Sequence, residues 1–210
     1  MTRTKSTFLA VLAVLLSPMA ANADTIVINF DVDGFGATIA GNTPITDQYA
    51  NLGVLFAGIE DGGAVDINAA PDPDGVAAPS SPNVMTNCAN ANLGCPGNRA
   101  DILRMTFADP VSGISLMLDS LGGLSVTFNL YDAFDALLET LTISSGGSLF
   151  VPVAFASTGV SRIDGIQPSD GWAWAFDDLT FTTAVPEPGT LALLGIGLLG
   201  MGAARRRKKA

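Results

Sequence analysis

Aspartates are the residues of this chain best placed to do chemistry. Asp31-Val32-Asp33-Gly34-Phe35-Gly36 begins like an EF-hand calcium loop, but its fifth position is Phe35 and its twelfth is Asn42, which excludes an EF-hand. Asp72-Pro73-Asp74-Gly75 is first of all a turn signature. Trp172, Trp174 and Phe176 alternate, so on a strand they share one face. An exposed aromatic row stacks on sugar rings; a buried one fills a core, and the small Ala173 and Ala175 between them favour burial. Cys88 and Cys95 are separated by six residues, which is not the redox CxxC spacing. The chain has no histidine, which excludes Ser-His-Asp and Cys-His catalysis and any His-ligated metal site. No lysine lies between Lys5 and Lys208 to replace it as a base. Glu60 and Glu139 are the only glutamates between residues 24 and 184, and no carboxylate pair stands out for glycoside hydrolysis. Catalysis is not expected.

The elements that must position these residues read as strands. Thr25–Phe30, Gly53–Gly58, Ala64–Asn68, Ile102–Phe107, Gly113–Leu118, Leu124–Tyr131, Ala136–Ile143, Leu149–Phe155, Val160–Ile166 and Trp172–Thr182 carry β-rich or alternating sequence between Gly, Pro, Asn and Asp turns. Gly122-Gly123 and Gly146-Gly147 read as hairpin turns. Gln48–Leu52 fits one helical turn, and no long amphipathic helix or internal repeat is evident. The pattern predicts an all-β, antiparallel β-sandwich over residues 24–184. Residues 69–100 are poor in large apolar groups and read as one long loop. Phe30, Val54, Phe56, Phe107, Ile114, Leu116, Leu118, Val126, Phe128, Ile163 and Phe181 are the expected core.

Both ends read as addresses. Arg3 and Lys5, the apolar run Phe8–Leu16 and Ala21-Asn22-Ala23 predict a secretory signal peptide over residues 1–23. Residues 189–204 are uncharged and predict a transmembrane helix, followed by Arg205, Arg206, Arg207, Lys208 and Lys209, which hold that end in the cytoplasm. The body then lies outside, where Cys88 and Cys95 are expected to form a disulfide. Residues 24–204 hold three basic and twenty acidic groups, a formal charge of −17. Such a body repels nucleic acid and suits divalent cations.

The tail resembles a known family signal. Val185-Pro186-Glu187-Pro188, a Gly/Leu-rich span and a terminal basic cluster are similar to the PEP-CTERM sorting signal over residues 185–210, with the motif at 185–190. The resemblance implies export by a Gram-negative bacterium, often one that makes exopolysaccharide. It implies processing by an exosortase, a membrane-embedded protease, and release or attachment at the surface. Asp47–Phe56, Ser115–Asp132 and Ala175–Phe181 resemble segments of other proteins with this tail, whose bodies are similar to jelly-roll sandwiches of lectins and carbohydrate-binding modules. In calcium-bearing jelly rolls an acid of the closing strand meets carboxylates near the first strand. Here that implies Asp177 and Asp178 with Asp31 and Asp33, and calcium as the one candidate cofactor; the competing reading is that these aspartates cap turns and face water.

Together these readings describe an exported, non-catalytic surface or matrix protein acting in adhesion or polysaccharide binding. Trp172 and Trp174 are its candidate stacking residues. The alternatives are a structural matrix protein without a specific ligand, and a calcium-dependent glycan hydrolase.

Overall fold

Alternation of apolar and polar side chains organises the chain into short strands that pair edge to edge. The computed structural model describes residues 23–71, 77–88, 99–120, 124–145, 149–167 and 174–183. They hold β1 (Thr25–Ile28), β2 (Thr43–Pro44), β3 (Val54–Glu60), β4 (Gly63–Val65), β5 (Asn68–Ala70), β6 (Val84–Thr86), β7 (Ile102–Ser120), β8 (Val126–Tyr131), β9 (Leu137–Ile143), β10 (Val151–Ala154), β11 (Val160–Ile166) and β12 (Trp174–Thr183). The sole helical element among the described residues is a 3-10 turn at Ala50–Leu52, closed by Gly53 at φ 83°. The expected signal peptide, sorting motif, transmembrane helix and basic tail lie outside the described residues. Among the described residues no helix is long and apolar enough to cross a membrane. Residues Asp24–Ala184 form one compact unit.

The fold is all-β, and every strand pairing is antiparallel. One hydrogen-bonded network joins all twelve strands. The long strand β7 lets that network fold into two layers. Ile102–Phe107 pairs with β3 and β11, in a front layer ordered β4-β3-β7-β11-β8-β9. The part from Val111 onward pairs with β12 and β10, in a back layer that also holds β1, β2, β5 and β6. Between the halves Ala108, Asp109 and Pro110 are exposed, and Gly113 takes φ 61°, a left-handed value that glycine adopts without strain. Inward side chains are Leu103, Met105 and Phe107 before the bend and Ile114, Leu116 and Leu118 after it. The parity therefore flips, as a bulge requires. The expectation of two separate strands here is met by one strand that changes layer.

Aromatic rings pack across the interior. Phe107 meets Phe181 at 5.0 Å, Phe128 meets Trp174 at 5.7 Å, and Phe30 meets both Phe56 at 5.7 Å and Phe176 at 5.3 Å. Edge-to-face contacts of this kind add to the area term of burial. All eleven expected core residues are buried. Gly165 is required by this packing: a Cβ there would stand 2.6 Å from Cη2 of Trp174.

Residues 69–100 are not simply a loop. β5 overlaps its start and β6 lies in its middle, and all six of their residues are buried. They join the back layer through β12.

Candidate functional site

The aspartates singled out by sequence lie around the end of β1. Asp177, on β12, is fully buried. Its Oδ2 accepts bonds from the Ser80 amide and hydroxyl, both at 2.8 Å, and its Oδ1 accepts one from the Asp178 amide at 2.8 Å. Burial raises its pKa to about 6, against the lowering effect of those bonds. Asp31 Oδ1 accepts the Asn83 amide at 2.8 Å. These bonds fasten the segment around Ser80–Asn83 over the buried, left-handed Phe30 (φ 59°). Asp33 Oδ1 accepts the amides of Phe35 and Ala37, both at 2.9 Å. Asp178 takes φ 49°. Burial, followed by the charges of Asp31, Asp33 and Asp177, raises the pKa of the Tyr49 hydroxyl, which donates to the Val32 carbonyl at 2.9 Å. The charges of three of the four aspartates thus act on one hydroxyl, and the bonds of Asp31, Asp33 and Asp177 go chiefly to backbone amides. Among the described residues no group of three or more acidic or cysteine side chains is placed to hold a metal ion.

Trp174 requires a correction. It is fully buried, stacked on Phe176 at 5.8 Å and edge-on to Phe128, so it offers no ring face to a sugar. The physical reason is strand alternation: Trp174 and Phe176 share the face of β12 that packs on Phe128 and Phe30, and Ala175 between them is fully buried too. Trp172, Asp72, Asp74 and Cys95 lie outside the described residues. Cys88 is buried and disulfide-bonded.

The polar face that sequence reading missed is the outside of the front layer. Register sets Ala57, Arg104, Asp164, Asn129 and Thr140 in one row across β3, β7, β11, β8 and β9. The next row is Leu55, Thr106, Arg162, Tyr131 and Leu137. Their chain neighbours Leu103, Met105, Phe128, Leu130 and Ile163 are buried, which sends these side chains outward. Arg104 grips Asp164 with two bonds, Nε to Oδ1 at 2.7 Å and Nη2 to Oδ2 at 2.9 Å. That carboxylate raises the already high pKa of Arg104. Arg162 lies 4.1 Å over the Tyr131 ring, pairs with Asp135, and brings Nε to 3.5 Å from Asp164 Oδ2. Thr140 donates to Asn129 Oδ1 at 2.9 Å. Only Arg99, Arg104 and Arg162 are basic between residues 24 and 184, and two of them stand on this face. Their outward positions on two alternating strands were the signal available in the sequence.

A family model of the PEP-CTERM protein-sorting motif matches residues 184–208. The chain carries a PEP-CTERM sorting tail. That tail implies an exported, membrane-anchored precursor in Gram-negative bacteria, processed by the membrane enzyme exosortase. No curated protein matches the chain. Among solved structures, the chain is similar to the K2 cleaved adhesin domain of Lys-gingipain, with 12% identity and TM-score 0.44 over 76% of this chain and all of that one. It is also similar to an arabinose-bound α-L-arabinofuranosidase, with 14% identity and TM-score 0.39 over 67% of this chain and 24% of the other. An exo-β-agarase matches at 10% identity and TM-score 0.36 over 79% and 26%.

Proposed function

We propose that the PEP-CTERM tail delivers this body to the cell surface or extracellular matrix, where it binds polysaccharide without catalysis. The front face supports the reading, above all the row Ala57-Arg104-Asp164-Asn129-Thr140. Sugar hydroxyls donate and accept at once. The row offers guanidinium, amide and hydroxyl groups to neighbouring hydroxyls of both kinds, with the buried Asp164 carboxylate holding the Arg104 guanidinium in place. Leu55 and Leu137 border the row with exposed apolar surface for the C–H faces of sugar rings. The Arg104–Asp164 pair is pre-formed, which reduces the ordering cost of binding. An acidic body repels polyanions over a Debye length of about 8 Å, so neutral polysaccharide is the preferred class.

Affinity electrophoresis of residues 24–184 tests this. Neutral polysaccharide in the gel retards the body, Arg104→Ala and Asn129→Ala restore free migration, and circular dichroism stays unchanged. Indifference to every glycan tried would instead support a structural matrix protein. Release of reducing sugar would support the hydrolase.

A further inference from the structure

Two turns of this protein are built to the same plan, and each presents a phenylalanine to solvent. One is Asp33-Gly34-Phe35-Gly36-Ala37 and the other Asp132-Ala133-Phe134-Asp135-Ala136. In the first, Asp33 Oδ1 accepts the amides of Phe35 and Ala37, both at 2.9 Å. In the second, Asp132 Oδ1 accepts the amides of Phe134 and Ala136 at 2.8 and 2.9 Å. The opening aspartate also donates its own amide to the closing alanine carbonyl, at 2.8 and 3.0 Å. The fourth residue is left-handed in both, Gly36 at φ 84° and Asp135 at φ 62°. Phe35 is 83% exposed and Phe134 91% exposed, the two highest values among the exposed large apolar residues described. A turn closed this way holds its tip in place, so burying the ring against a partner costs little further ordering.

Both turns are fastened at one end of the front layer. Gly34 donates to the Gln48 carbonyl at 2.9 Å and accepts from Asn51 at 2.6 Å, in the segment leading into the start of β3. The other turn joins the end of β8 to β9, and Tyr131 shares a row with Leu55, the second residue of β3. The body's last described residue, Thr183, reaches the same end: it pairs with Val111, which pairs with Val160, the first residue of β11. Residues 184–188 alone separate it from residue 189, where the apolar span begins in the sequence. Such a connection extends at most about 20 Å.

We infer that in the membrane-anchored precursor Phe35 and Phe134 rest in the lipid surface and set the body upright on it. This rests on the reading of the tail as an anchor. A short tether brings the two tips to the bilayer at high effective concentration, so two rings suffice where a free body would dissociate. Asp33, Asp132 and Asp135 beside the rings oppose anionic headgroups, which makes a zwitterionic surface the fitting partner. Docking there leaves the front face open.

The test uses the full chain in phosphatidylcholine vesicles, with Phe35→Trp and Phe134→Trp made singly and read as the difference from the parent protein. Both added indoles are expected to shift to the blue and lose most of their emission to lipids carrying a quencher near the headgroup. A chain that floats with the vesicles while either indole stays unquenched overturns the docking and leaves the anchor intact. Emission that responds to soluble polysaccharide and not to quencher lipid also overturns it. A chain that fails to float overturns the docking and the anchor together.

Discussion

Asp177 gives this body a pH dependence opposite to that of a salt-bridged carboxylate. It is fully buried with no cationic partner among the described residues, and its pKa rises from 3.8 to about 6. Below pH 3.8 it is protonated in both the folded and the unfolded chain. Between about 4 and 6 the folded state keeps a proton that the unfolded state has lost, so stability falls as pH rises through that window. A shift of about two units corresponds to about 3 kcal/mol, an upper figure for one partly hydrogen-bonded group. Asp177→Asn cannot titrate. Its amide nitrogen must face the Ser80 or Asp178 amide, a mismatch costing a pH-independent ~1–3 kcal/mol. The assay is urea unfolding of residues 24–184 and of the variant at a series of pH values. Other carboxylates cancel in the difference. The stability of the parent minus that of the variant should fall by roughly 2–3 kcal/mol from below the window to above it. Parallel curves for the two proteins would mean that Asp177 titrates alike in the folded and unfolded chain.

Other outcomes follow from the packing and the faces. Gly165→Ala places a methyl 2.6 Å from Cη2 and 2.8 Å from Cζ2 of Trp174, a ring held between Phe128 and Phe176. It should cost about 1–3 kcal/mol and lower Tm by several degrees in a calorimeter. Asp164→Ala removes the partner of Arg104 and a neighbour of Arg162, and because both guanidinium groups are partly exposed, chemical denaturation should show a loss of only about 1–2 kcal/mol. Since the bonds of Asp31, Asp33 and Asp177 already go chiefly to backbone amides, Tm should stay unmoved by millimolar calcium or chelator; a clear rise with calcium would return the ion to this corner.

The sequence is most readable where strands are long enough to show their period. Val160–Ile166 has the same bounds in sequence and structure, and Phe128 and Ile163 announce the core by alternation. β5 and β6 escape because three residues cannot display a period and both of their faces are covered. The pairing of Arg104 with Asp164 spans sixty residues and depends on the register of β7 against β11, which no local pattern states. The twin Asp-x-Phe-x-Ala turns were legible as a repeated five-residue spacing, but too short to register as a repeat. Asp31 and Asp33 looked like the opening of a calcium loop because an Asx-stapled turn and a cation loop use the same residue types.

A processed address at the C-terminus leaves the body to work outside the cell. That processing is tested most directly by the intact mass and C-terminal peptide map of the protein recovered from the surface of its own host. Loss of everything beyond the neighbourhood of Pro186–Pro188 is the predicted result. A protein that still carries Arg205–Lys209 would contradict it.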